Sequence, residues 1–195
     1  MILIFDTETN GLPECPYYGK FPDYWNLSKY KNSRVVQISY ILTDDEYNII
    51  EERDTIIKKD NFTITNSRFH GITESISESE GIPFEQFAEI FYNVLKKCNL
   101  IVAHNIDFDI NVLRSELYRY NLHYIIETID TKKFLCTMKG TKELVKATFK
   151  NSSVLKDPNL KELYFFATGE HLENHHNSLY DTQNLYTVVK ILKLK

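Results

Sequence analysis

The chain has 195 residues, 43% hydrophobic and 26% charged, with a formal net charge of −4. That length and balance are ordinary for a soluble globular protein and predict one domain, residues 1–195, with a sizeable core. The acidic charge disfavours a protein that holds duplex DNA by broad phosphate neutralisation, so a nucleic-acid contact here would be local or carried by metal ions. Cys15, Cys98 and Cys136 form no CxxC pair, which fits reduced thiols in a reducing compartment. The apolar run before Asp6 is too short for a signal peptide and has no basic start, and no stretch reaches the roughly 18 apolar residues of a membrane span. The expected location is cytoplasmic, with no membrane partner.

In chain order, "MILIF" reads as a short buried strand. Residues 13–32 follow, with three of the five prolines, four tyrosines and the only tryptophan. They read as an ordered loop beside the end of that strand, and a long loop in a compact domain is often functional. Residues 34–43 and 47–59 read as two more strands joined by the turn "DDE", which predicts an antiparallel meander. Residues 83–98 carry Phe84, Phe87, Phe91 and Leu95 at helical spacing after a helix-starting Pro83. A buried strand at 99–104 and a helix at 108–121 come next. The β-branched run 124–131 reads as a strand. Helices are expected at 142–150, 159–170 and 178–193, Gly169 closing the second of these. The pattern predicts an α/β fold: a mixed sheet with helices on its faces.

Five carboxylates stand out. Asp6 and Glu8 are two residues apart at a strand end, so they project to one face. Like charges so placed repel unless a cation or a proton lies between them, and a hard divalent ion with oxygen ligands is the economical answer. A simple turn is the plain alternative, since Asp and Asn-Gly favour turns. Asp107 and Asp109 sit where the strand at 99–104 runs into a helix; capping accounts for one of them. Asp181 falls on the apolar stripe of the last helix with Leu185, and the sequence offers no Lys or Arg from there to Lys190. His175 and His176 precede it, and either is a candidate base by its chemistry. Three histidines at 171, 175 and 176 hint at zinc, without a matching ligand set.

Together these residues resemble the DEDDh 3′–5′ exonucleases, the group holding the proofreading epsilon subunit of bacterial DNA polymerase III and the Trex nucleases. "FDTETNGLP" resembles the first motif, with Asp6 and Glu8. "AHNIDFD" resembles the second, with Asn105, Phe108 and Asp109. "HNSLYD" resembles the third, and its His-x4-Asp spacing selects His176 over His175 beside Asp181. "FHGIT", "IDTKKF" and "NLKELYFFATGE" are softer matches, so the resemblance spans nearly the whole chain. The long aromatic loop at 13–32 and the lysine-rich stretch at 139–158 depart from compact members.

The resemblance implies a ribonuclease-H-like fold with a mixed five-stranded sheet, and two Mg²⁺ or Mn²⁺ ions as cofactors. Asp6 would bridge both ions, Glu8 and Asp181 would complete one site, and Asp109 would support the other. Asp6, Glu8, Asp109, Asp181 and His176 would form the catalytic set, with His176 taking a proton from the attacking water. The products would be nucleoside 5′-monophosphates cut from a single-stranded or frayed 3′ end, with DNA favoured. Thr7, Thr9 and Asn105, with Tyr17, Tyr18 and Trp25 of the loop, are the candidate substrate contacts; for the loop aromatics, an aromatic mini-core that pins the loop is the equal alternative. An exoribonuclease or oligoribonuclease uses the same motifs, and an inactive nucleic-acid- or polymerase-binding module is the rival from another class. A polymerase partner fits an active enzyme as well.

Overall fold

The computed structural model describes residues 1–17, 19–172 and 177–195. Its five strands are β1 (Ile2–Thr9), β2 (Val35–Thr43), β3 (Ile49–Ile56), β4 (Leu100–Ala103) and β5 (Lys133–Cys136). They form one mixed sheet in the order β3-β2-β1-β4-β5. β2 runs antiparallel to β1 and to β3, while β4 is parallel to β1 and β5 is parallel to β4. The expected meander is therefore present. Its turn is tied by Asp44, whose carboxylate accepts from the backbone of Glu46 and Asn48.

The described helices are α1 (Ser67–His70), α2 (Glu74–Glu80), α3 (Phe84–Leu95), α4 (Ile106–Arg119), α5 (His123–Asp130), α6 (Thr137–Gly140), α7 (Lys142–Val145), α8 (Leu160–Thr168) and α9 (Ser178–Leu192). β1 lies in the middle of the sheet and is covered on both faces. Its alternate residues Leu3 and Phe5 join the main core with Phe87 and Phe91 of α3 and Ile110 and Leu113 of α4. Ile2 and Ile4 face the other way, against Leu185 and Val189 of α9. The period of two along β1 thus assigns each side chain to one helical layer.

Two sequence expectations are corrected. Residues 124–131 form most of helix α5, not a strand. Ile125, Ile126 and Ile129 are all buried, and their spacing covers one face of a helix; burial overrode the β-branched preference. The edge strand is instead the short, half-exposed β5. The helix expected over 142–150 stops at Val145, where Lys146 adopts a left-handed conformation (φ 53°). The chain then forms a hairpin in which Thr148 pairs with Leu155 and Lys156 N–H donates to the Ala147 carbonyl. Among the described residues, no helix is long and apolar enough to cross a membrane.

Candidate active site

β1 delivers two carboxylates on one face and a threonine on the other. Asp6 and Glu8 continue the Ile2–Ile4 face toward α9. There Asp181 meets them, and oxygens of Asp6, Glu8 and Asp181 lie within 4.8 Å of one another. The approach of α9 depends on small residues. Ser178 and Thr182 are fully buried; Ser178 Oγ donates to the Asp6 carbonyl at 2.7 Å, and Thr182 Oγ1 to the Ser39 carbonyl at 3.4 Å. Asn177 caps the helix, its Oδ1 accepting from the amides of Leu179 and Tyr180.

Thr7 points to the opposite face, toward α4. Its amide and hydroxyl both donate to Asp109 Oδ1, at 3.1 and 2.7 Å. Asp109 is 2% exposed, so these two bonds fix the orientation of an enclosed carboxylate. The tight passage from β4 into α4 runs through Asn105 in a left-handed conformation (φ 68°), which asparagine tolerates better than most residues. That turn sets Asp109 on the first turn of α4, facing the end of β1.

Burial dominates the electrostatics, and crowding adds to it. Burial, then the charges of Asp181 and Asp109, push the Glu8 carboxyl up to about 7. Burial lifts Asp109 to about 7 against the opposing pull of its bonds from Thr7, with Asp181 adding to the rise. Asp6 is raised well above the usual carboxylate range, by burial first and then by Asp109, Asp181 and Glu8. Bare carboxylates so placed hold protons. Three converging oxygens of hard donors also suit Mg²⁺ or Mn²⁺, so the donor set fits a divalent cation.

Beside this cluster lies a cavity of about 350 Å³ along Thr7–Thr9, walled by Leu12, Phe69 and Phe108 and closed by Asn66 and His70. His70 is 4% exposed; burial lowers its basicity. Its Nδ1 accepts from the Ile72 amide at 3.1 Å, which leaves the neutral ring's proton on Nε2. Gly11 is required where the chain turns away from the cavity: a Cβ there would sit 2.9 Å from the Asn32 carbonyl oxygen. A second cavity, about 330 Å³, shares Leu12 and Phe108 with the first and reaches Phe21, Asn105, Met138 and Lys139.

The structure brings together Asp6, Glu8, Asp109 and Asp181, with Thr7 and Thr9 along the first cavity and Asn105 at the second. His176 and Tyr18 lie outside the described residues. Tyr17 and Trp25 are exposed and line neither cavity. Trp25 packs edge-on against Tyr24, which packs on Tyr118 of α4, so these aromatics pin the loop to the body of the protein. The loop reaches the cavities through Leu12, Cys15 and Phe21 instead. Leu12, Asn66 and Phe69 were not singled out from the sequence. Leu12 lies inside the first motif, FDTETNGLP, and Phe69 opens the softer match FHGIT, yet the sequence assigned neither a role; nothing local marks Asn66.

A mixed five-stranded sheet flanked by helices, with acidic groups gathered at the end of its central strand, is the ribonuclease-H-like class of α/β fold. An exonuclease family model, RNase_T, matches residues 3–189, and the chain belongs to that family. Exonuclease I of E. coli, in a complex with a dA16 oligonucleotide, superposes with a TM-score of 0.72 at 18% identity, over 100% of this chain and 41% of that one. Exonuclease I of Methylocaldum szegediense gives 0.73 at 20% identity, over 98% and 40%. Exonuclease X in complex with 5′ overhanging duplex DNA gives 0.60 at 20% identity, over 99% and 92%. This chain therefore spans about two fifths of the exonuclease I chains it matches. A search of curated proteins gave no match.

Proposed function

We propose that the protein is a metal-dependent 3′→5′ exonuclease that shortens single-stranded or frayed DNA ends to nucleoside 5′-monophosphates, in a single domain that also carries the substrate cavity. The observation that carries this reading is the convergence of Asp6, Glu8 and Asp181 within 4.8 Å, with Asp109 held behind them by Thr7, beside a cavity of nucleoside size. Family membership supports the reaction class. The oligonucleotides in the matched exonuclease I and X structures support DNA as the substrate.

Asp6, Glu8 and Asp181, with Asp109, are the residues that would hold two Mg²⁺ or Mn²⁺ ions. Bound there, such ions supply positive charge at the scissile phosphate and favour ionisation of the attacking water. The chain's own residues do the rest. Leu12, Phe69 and Phe108 take the terminal base against apolar walls, which is sequence-tolerant recognition. Thr7 keeps Asp109 in a single orientation. His176, five residues before Asp181, accepts the proton of the attacking water, and the 3′-oxygen of the next nucleotide leaves.

The test is hydrolysis of matched 5′-labelled single-stranded DNA and RNA with Mg²⁺, Mn²⁺ or EDTA. A ladder shortening from the 3′ end on DNA, lost in EDTA, is expected. A ladder on RNA alone would keep the chemistry and replace the substrate. Silence on both with folded protein and added metal would overturn the reading.

A further inference from the structure

The lysine-rich segment is not used by the chemistry above. Residues 132–161 hold eight lysines against two acidic residues, in a chain whose formal net charge is −4. Both feet of the segment are fastened beside the acidic centre. Lys139 pairs with Asp107, two residues before Asp109. Thr137 Oγ1 lies 3.0 Å from His104 Nδ1. Asp157 and Lys139 line the second cavity together with Leu12 and Phe108. From there the chain runs out as the hairpin 147–156. Its two arms are joined by Lys156 N–H to the Ala147 carbonyl, and its tip is closed by Ser152 N–H to the Phe149 carbonyl at 3.1 Å.

The surface of this hairpin is specific. Residues 148–154 are all exposed, including Phe149 at 56% and Val154 at 61%. Lys139, Lys142 and Lys156 are neutralised by Asp107, Asp157 and Glu162. Among the described residues, Lys146 and Lys150 have no ion-pair partner. Two uncompensated cations flanking an exposed aromatic, on an arm rooted at the second cavity, which shares Leu12 and Phe108 with the first, match a single strand of nucleic acid: phosphates for the ammonium groups, a base face for the ring.

We infer that the 147–156 hairpin is a clamp for the single strand behind its 3′ terminus, with Lys146 and Lys150 against phosphates and Phe149 against a base. This rests on the proposed exonuclease reading for the strand's direction, but not for its binding. It adds to that reading a grip on the body of the strand, so that long substrates are held better than short ones.

The experiment compares wild type, Lys146→Ala/Lys150→Ala and Phe149→Ala. Binding of labelled oligothymidylate and oligouridylate is measured in EDTA against salt, and Mg²⁺-dependent hydrolysis is measured on oligothymidylate and on the dinucleotide pTpT. All three substituted side chains are exposed, and circular dichroism checks the fold. The double variant is expected to lower the slope of log affinity against log salt by about 1.4, from about 0.7 per phosphate contact on a single strand. Phe149→Ala should weaken binding by about fivefold or more. Turnover of pTpT should stay at the wild-type value in both variants. Loss on either oligomer supports the clamp and names the sugar it holds. Unchanged affinity and salt slope on both oligomers would overturn it, as would equal losses on pTpT and the oligomers. If wild type hydrolyses nothing yet the variants lose affinity, the exonuclease reading fails and the clamp stands.

Discussion

Asp6→Ala and Asp181→Ala each remove one carboxylate from a cluster in which burial first, and then mutual repulsion, raise the proton affinity of Asp6 and Glu8. Each variant should fold, melt at or above the wild-type temperature without metal, and show Mg²⁺-dependent cleavage at background. Near-wild-type turnover in either would contradict the assignment. His176→Ala should lower turnover far more than His175→Ala; equal losses would reject the His-x4-Asp register. Thr7→Val is the subtler case. It deletes the 2.7 Å bond to the buried Asp109, which should cost about 1.5–3 kcal/mol of stability and lower turnover by about 10–100-fold. At this scale the sequence was informative where chemistry and spacing coincide. Asp6 and Glu8 share a face because strands alternate, and that reading held. The wall role of Leu12, Asn66 and Phe69 was not legible, although Leu12 and Phe69 fall within matched segments, because a cavity wall is built by residues that meet only after folding.

Helix α4 shows how an element fixes the site from a distance. Its first turn carries Asp109 and its third carries Glu116, which is 2% exposed and accepts from Arg34 Nε at 2.5 Å. Arg34, just before β2, also donates to the Asp60 carbonyl and to Tyr120 Oη. This pair joins α4 to the sheet. Arg34→Met should destabilise the protein by about 3–5 kcal/mol, because it leaves the buried Glu116 carboxylate with only the longer pairing to Arg119 Nε at 3.7 Å, and Arg34→Met/Glu116→Leu should recover most of the loss. Chemical denaturation of the three proteins checks this; a double variant no better than the single one would contradict it. The strands of the meander and helices α3, α4, α8 and α9 were legible because their apolar periods are long. α5 was misread because eight residues with four β-branched ones fit either period, and only packing decides. β5 was missed because its apolar run, Phe134–Cys136, is only three residues long and sits on a four-residue edge strand that is exposed to half-exposed.

On the scale of the whole molecule, the acidic centre links stability to pH and to metal. Glu8 and Asp109 rise from ordinary values of 4.5 and 3.8 to about 7 in the fold. Groups raised on folding stabilise fully below their unfolded values and lose that contribution as pH climbs through the folded ones. Metal-free protein should therefore lose stability from about pH 4 to about pH 7 as Glu8 and Asp109 ionise. A bound cation reverses the sign: it competes with the same protons, so the rise in melting temperature on adding Mg²⁺ should grow over that window. Thermal melts across the window, with Mg²⁺ or EDTA, check both directions. The chain's negative charge, which argued against nucleic acid at first sight, is compatible with it once the positive charge is placed locally, in cations at the site and in the lysine hairpin. That distribution was legible in the lysine count; the hairpin that presents it was not.

The central claim is that Asp6, Glu8 and Asp181 form a divalent-cation site. Calorimetric titration of Mn²⁺ into the wild-type protein and into Asp6→Asn, without nucleic acid and at a pH above the raised carboxylates, tests it directly. Saturable binding to wild type that falls by at least about tenfold in the variant is the expected result. Equal binding to both proteins, or none to wild type, would contradict the account.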